Sequence, residues 1–95
     1  MKRVYDMIDE IKDELHSAND YAEKYIWYMS TRPEFAPMFS EMASQELNHA
    51  EYLMKVGKTM LDEMKWIPEE DKEAWEKCNA KMAEKSALVR MMLTK

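Results

Sequence analysis

The apolar residues of the first third of the chain recur as Val4, Ile8, Ile11, Leu15, Ala18, Ala22, Tyr25 and Met29, in steps of four and three. That spacing keeps one stripe of a helix turned toward a partner and predicts a helix over about residues 2–29. A second row, Met7, Glu14, Tyr21 and Tyr28, runs beside the first and widens the expected buried face. Ser30-Thr31-Arg32-Pro33-Glu34 interrupts the pattern. Thr31 and Glu34 have the spacing of a capping box, Pro33 suits a first helical turn, and Pro37 can delay the regular helix until it has passed.

A second helix is expected over about 35–65, with the seam Phe35, Phe39, Met42, Glu46, His49, Leu53, Val56 and Met60. Ala43, Ala50 and Gly57 lie alongside, small enough to admit a neighbouring helix. Trp66-Ile67-Pro68 ends it. A third helix, about 68–93, opens on Pro68 with Glu69, Glu70 and Asp71 at the positive end of its dipole. Its stripe of Trp75, Cys78, Met82, Val89 and Met92 is broken at Lys85 and Ser86. This helix is expected either to cover outer apolar residues of the hairpin (Trp27, Leu47, Met54, Leu61) or to pack on another subunit.

Composition agrees with an all-α fold: an antiparallel helical hairpin plus a third helix, in one domain over residues 1–95. There is one Gly, and Val, Ile and Thr together number only ten, too few for a sheet protein. A chain this short buries only roughly 60–65 % of its unfolded surface, and self-association is a common remedy. The net charge of −5, with no basic block, argues against nucleic acid as a partner. No apolar run approaches the ~20 residues that cross a bilayer, and Met1-Lys2-Arg3-Val4-Tyr5-Asp6 does not read as a signal peptide. The single Cys78 forms no internal disulfide, so a cytoplasmic setting is expected. A protein shell inside the cytosol would leave the same trace. The eleven methionines are spread over all the helical stripes, which suits adaptable core filling better than a thioether copper site.

Three polar residues fall on the inward faces of the first two helices: Glu14, Glu46 and His49. Burying an ionised group is costly, so such a group is paired, neutralised or bound to a metal. Their heights agree. Folding the chain about residues 31–32 brings Glu14, 17 to 18 residues before the turn, opposite His49, about as far after it. Glu46 is one turn nearer, and residues three apart on a helix can share one ion.

Glu46-Leu47-Asn48-His49 is a Glu-x-x-His motif in mid-helix, and the inward Glu14 precedes it by 32 residues. From about residue 8 to residue 60, and above all from Glu14 through Tyr21 to Met42-Ala43-Ser44-Gln45-Glu46-Leu47-Asn48-His49-Ala50-Glu51-Tyr52-Leu53, the chain resembles the first half of a rubrerythrin-type, ferritin-like protein. A complete site in that superfamily takes a glutamate from each of two helices and a Glu-x-x-His from each of two more. Here the set occurs once. Two copies about a two-fold axis restore four carboxylates and two imidazoles. The half-length encapsulated ferritins, which work at a dimer interface, are the nearest architectural parallel. The resemblance implies a four-helix bundle completed by homodimerisation or a higher even-numbered oligomer. It implies two iron ions per dimer, with manganese or zinc also compatible, and ferroxidase chemistry with dioxygen or peroxide as oxidant. No rubredoxin-like cysteine pair accompanies it.

On this reading Tyr21 either hydrogen-bonds a ligand carboxylate or simply packs in the core. His16 points away and reads as a surface residue. Glu10, Asp13, Glu51 and the run Glu69 to Asp71 read as solvated faces or dipole partners. Cys78 reads as buried filler. Two other readings remain open: a non-catalytic helical self-assembly or interaction module, and a structural metal that holds a dimer without turnover.

Overall fold

The computed structural model describes residues 2–95 and is all-helical: among them are α1 (Lys2–Thr31), a 3-10 turn (Pro33–Phe35), α2 (Ala36–Glu63) and α3 (Glu69–Leu93). The breaks have local causes. Arg32 precedes Pro33, and the proline ring forces its predecessor out of the helical region, here to φ −142°, ψ 77°. Near the end of α1, Ser30 Oγ and Thr31 Oγ1 both donate to the Trp27 carbonyl, at 3.0 and 2.9 Å, and the Arg32 amide donates to the Tyr28 carbonyl at 2.8 Å. Thr31 is thus engaged backward and forms no capping box with Glu34, which instead accepts from Arg32 Nε at 2.6 Å. Pro37 lies in the first turn of α2, where its missing N–H costs nothing. The second break turns extended at Met64, and α3 begins after Pro68, whose carbonyl accepts from the Asp71 and Lys72 amides at 3.0 and 3.1 Å.

α1 and α2 form an antiparallel hairpin, and the molecule is a rod of 52 × 17 × 16 Å. α3 lies chiefly along α1 and runs parallel to it: Trp75 meets Val4 and Gly57 near one end, and Val89 lies by His16 and Asn19 further along. The α1 seam is buried as its spacing predicts, from Val4 through Ile8, Ile11, Leu15 and Ala18 to Ala22. The larger of these side chains, Val4, Ile8, Ile11 and Leu15, each contribute about 1.5–3 kcal/mol by their burial. The seam fails at its end, where Met29 is 44 % exposed.

The α3 stripe docks on the hairpin of its own chain. Trp75, Cys78, Met82 and Val89 join one core with Leu47, and Met54 and Leu61 pack against it. Trp27 escapes this cover and is 59 % exposed. Of the acidic residues expected on solvated faces or as dipole partners, Asp71 takes the second role and Glu51 takes neither. Asp71 is buried in the first turn of α3, where the helix dipole favours a negative charge. Glu51 ties α2 to α3, accepting from Arg90 and from Ser86 Oγ, the latter at 3.3 Å. Cys78 is buried, and burial pushes its thiol up despite the opposing Lys12, so it packs as a small apolar group.

α2 buries a different line from its predicted seam. Ala43, Leu47, Ala50 and Gly57 are its buried mid-helix residues, whereas Met42, Glu46, Leu53, Val56 and Met60 are half-buried. The contact line is rotated by about one residue because α3 supplies bulk on the Leu47 side and the small residues bring α1 close.

Gly57 makes one contact that no other residue permits. A Cβ added there would stand 2.1 Å from the Trp75 ring. Gly57→Ala is expected to destabilise the chain by about 1–3 kcal/mol, a fall in Tm of roughly 4–8 °C for each kcal/mol. Trp75→Phe in the same chain should recover part of the loss, as calorimetry of the single and double variants would show.

Candidate metal centre

The face of the hairpin turned away from α3 is left half-open. Along it run Met7, Glu14, Tyr21 and Tyr28 from α1, and Phe39, Met42, Glu46, His49, Leu53 and Val56 from α2. Midway along both helices, Glu14, Glu46 and His49 come together. All three sequence candidates for ligation therefore share one place. Each offers a ligand atom, and these atoms lie within 4.8 Å of one another.

Helix geometry explains the convergence. Glu46 and His49 are three residues apart on α2 and project from adjacent turns. The antiparallel register set by the Arg32–Phe35 turn brings Glu14 to the same height. His49 Nδ1 lies 3.5 Å from Glu14 Oε2 and 3.9 Å from Glu46 Oε1. Both distances are too long for a good hydrogen bond. Two donor atoms bound to one zinc-sized ion at ~2.1 Å can stand at most ~4.2 Å apart, and both separations fall inside that limit. The donor set, two carboxylates and one imidazole, suits iron, manganese or zinc.

The electrostatics are those of a crowded acidic pair. The Glu46 carboxyl is held above its ordinary value, first because it shares a hydrogen bond with Glu14, then by burial and by repulsion from the Glu14 charge, with His49 pulling the other way. Glu14 Oε2 is itself buried and accepts no hydrogen bond. A buried carboxylate oxygen without a donor is costly, and a cation relieves it. The observed residues thus fit a cation.

The cluster is not sealed. The side chains of Glu14 and Glu46 are 29 % and 25 % exposed, and that of His49 is 60 % exposed. One chain brings three candidate ligand residues together and leaves the outer side of the cluster to solvent. Tyr21, two turns above Glu14, packs against Phe39 with ring centroids 6.4 Å apart, and the Lys24 ammonium stands 5.7 Å from the Tyr21 ring centroid. Phe39 in turn stacks on Tyr28 at 5.0 Å, and Phe35 meets Tyr28 edge-on at 5.8 Å. This aromatic run at the turn end was not foreseen, although the seven-residue spacing of Tyr21 and Tyr28 opposite Phe35 and Phe39 carries it. His16 is a surface residue with Asp20 as its neighbour at 3.4 Å.

No family model, curated protein or solved structure matches this chain.

The raised Glu46 carboxyl has a measurable consequence in metal-free protein. The folded state keeps a proton that the unfolded chain has already released, so stability declines as pH rises from near 4.5, Glu46's ordinary value, through the folded value. The deficit is complete above the folded value. Glu46→Gln removes this decline, so the difference in urea midpoint between the variant and the parent chain should grow with pH across that window. Glu41→Gln, on an exposed position of the same helix, should show no such trend.

Proposed function

We propose that this protein is a half-length, ferritin-like metal protein that pairs with a second copy to hold two iron ions and oxidise Fe(II). The observation that carries the reading is the meeting of Glu14, Glu46 and His49 at one height on the half-open face of the hairpin. Nothing in the packing of a stand-alone bundle calls for two carboxylates and an imidazole there. Apolar residues flank them above and below, as at an interface, and solvent reaches the side a partner would close.

In the proposed dimer, each copy contributes Glu14, Glu46 and His49. The carboxylates balance the cationic charge and His49 supplies a neutral nitrogen donor. Two Fe(II) substrate ions each lose one electron. Dioxygen takes both electrons and two protons and departs as hydrogen peroxide; alternatively, peroxide is reduced to two waters with two further protons. Glu46, whose carboxyl already favours its proton, gives that proton up when a cation takes its place. Tyr21 is proposed to steady a ligand carboxylate. The remaining choice, whether the site is redox-active or a structural zinc that holds the dimer, lies with the metal.

The test is direct. The proposal expects about one iron per chain in an even-numbered oligomer, and oxygen-dependent oxidation of added Fe(II). Glu14→Ala or Glu46→Ala should abolish that oxidation, and His49→Ala should lose the metal. Chelation that dissociates the oligomer, without any oxygen uptake by the iron-loaded protein, would indicate a structural metal. A protein that ignores Fe(II) and leaves assembly unchanged in Glu46→Ala and His49→Ala would overturn both, and would favour a helical interaction module.

A further inference from the structure

Trp27 is largely uncovered, but it does not stand alone. Its ring meets Tyr28 edge-on with centroids 4.8 Å apart. Tyr28 lies flat on Phe39 at 5.0 Å, with the ring planes 2° apart, and Phe39 meets Tyr21 at 6.4 Å. All three separations fall in the ~4.5–7 Å range of aromatic contact. Four rings therefore touch in series. The series begins in solvent and ends at Tyr21, seven residues from Glu14, or ~10 Å along α1. Core packing accounts for a pair of such rings. It does not call for a line of them from an exposed indole toward the polar cluster.

Three of the four rings can give up an electron. Tryptophan and tyrosine each lose one electron and one proton to form a neutral radical, and phenylalanine joins them by contact. Charges give the line a direction. The Lys24 ammonium stands 5.7 Å from the Tyr21 centroid and 5.9 Å from that of Phe39. A cation over a ring is held by the ring's electrons, so one is harder to remove there. Once oxidised, Tyr21 is accordingly a strong acceptor. At the outer end, Asp20 and Glu23 line the same groove as Trp27, and their negative charge makes the indole easier to oxidise. Electrons run inward, from Trp27 to Tyr21.

We infer that Trp27, Tyr28, Phe39 and Tyr21 form a relay that passes single electrons from a donor in solution to the Glu14–Glu46–His49 cluster. Its use rests on the proposed iron reading, to which it adds a source of two further electrons. Tyr21 gives one electron and its phenolic proton toward the hydrogen peroxide formed at the cluster. Tyr28 returns an electron to Tyr21 across Phe39, Trp27 returns one to Tyr28, and water carries the protons. An enediol in solution restores the electron and the indole proton of Trp27 and is itself oxidised by one electron. Two copies thus deliver two electrons and two protons, which turn one hydrogen peroxide into two waters.

The relay is tested without iron. A rhenium(I) tricarbonyl diimine photo-oxidant is attached to the exposed His49 in the full chain carrying His16→Gln and Trp66→Phe, which remove the other histidine and the most exposed tryptophan. Flash excitation with an electron-accepting quencher then injects an oxidising equivalent at the cluster, and transient absorption follows it. The expected result is an indolyl radical that disappears in Trp27→Phe, forms at least tenfold more slowly in Phe39→Leu, and recovers its rate in Phe39→Tyr. An indolyl signal that persists in Trp27→Phe, or a rate unchanged in Phe39→Leu, overturns the path. A tyrosyl signal with no indolyl overturns the exit at Trp27. Delivery is tested on iron-loaded protein with ascorbate and dioxygen, where Trp27→Phe should release several-fold more hydrogen peroxide than the parent chain. Equal release overturns delivery and leaves the path standing. A chain that consumes no dioxygen with Fe(II) overturns the iron reading and delivery together, while the flash experiment still decides the path.

Discussion

A two-helix hairpin has two long sides, and in this chain one helix covers one of them. α3 lies along α1 and closes over Leu47, Ala50 and the α1 seam. The opposite side keeps its apolar residues half-buried, with the acidic pair and the histidine among them. Among the described residues the third long helix packs on one side of the hairpin only. The position of α3 is fixed by a close fit, the Trp75 ring over Gly57, and by the Glu51 link to Ser86 and Arg90. Because these hold α3 on its side, the character of the other side is decided by what remains.

Much of this was legible in the sequence, because the strongest signals are local. The four-and-three spacing of Val4 to Ala22 places the α1 seam, and Pro33, Pro37 and Pro68 place the breaks within about two residues, since proline acts on its immediate neighbours. The meeting of Glu14, Glu46 and His49 was legible too. It requires only a hairpin with a short turn and equal residue counts on either side.

What was less legible depends on three bodies meeting at once. The α2 seam, taken from periodicity alone, runs through Glu46 and His49, but the helix buries Ala43, Leu47 and Ala50 instead. An amphipathic helix with two partners on adjacent sides has a buried arc wider than one row, and its centre depends on where the third helix sits. Trp27 illustrates the same limit. It reads as a residue to be covered, yet it is largely exposed beside Tyr28, in edge contact at 4.8 Å. Asp71 errs in the other direction, because three acidic residues in a row give no hint which one the first turn of α3 will bury.

The half-exposure of the polar cluster bears on how such a site works. In an isolated chain, solvent screens the Glu14–Glu46 repulsion and reaches His49, so holding a metal there gains little from a low-dielectric surround. In the proposed dimer the same groups are enclosed, the carboxylate charges double, and enclosure without cations becomes unfavourable. Metal binding and pairing are then linked: each supplies what the other lacks, charge balance in one direction and exclusion of water in the other. The raised Glu46 carboxyl is the single-chain trace of the same tension, since a proton is the smallest cation that can ease two neighbouring carboxylates. A chain that placed these three groups on the α3 side would bury them permanently and need no second copy. Leaving them on the half-open side makes their burial conditional on a partner.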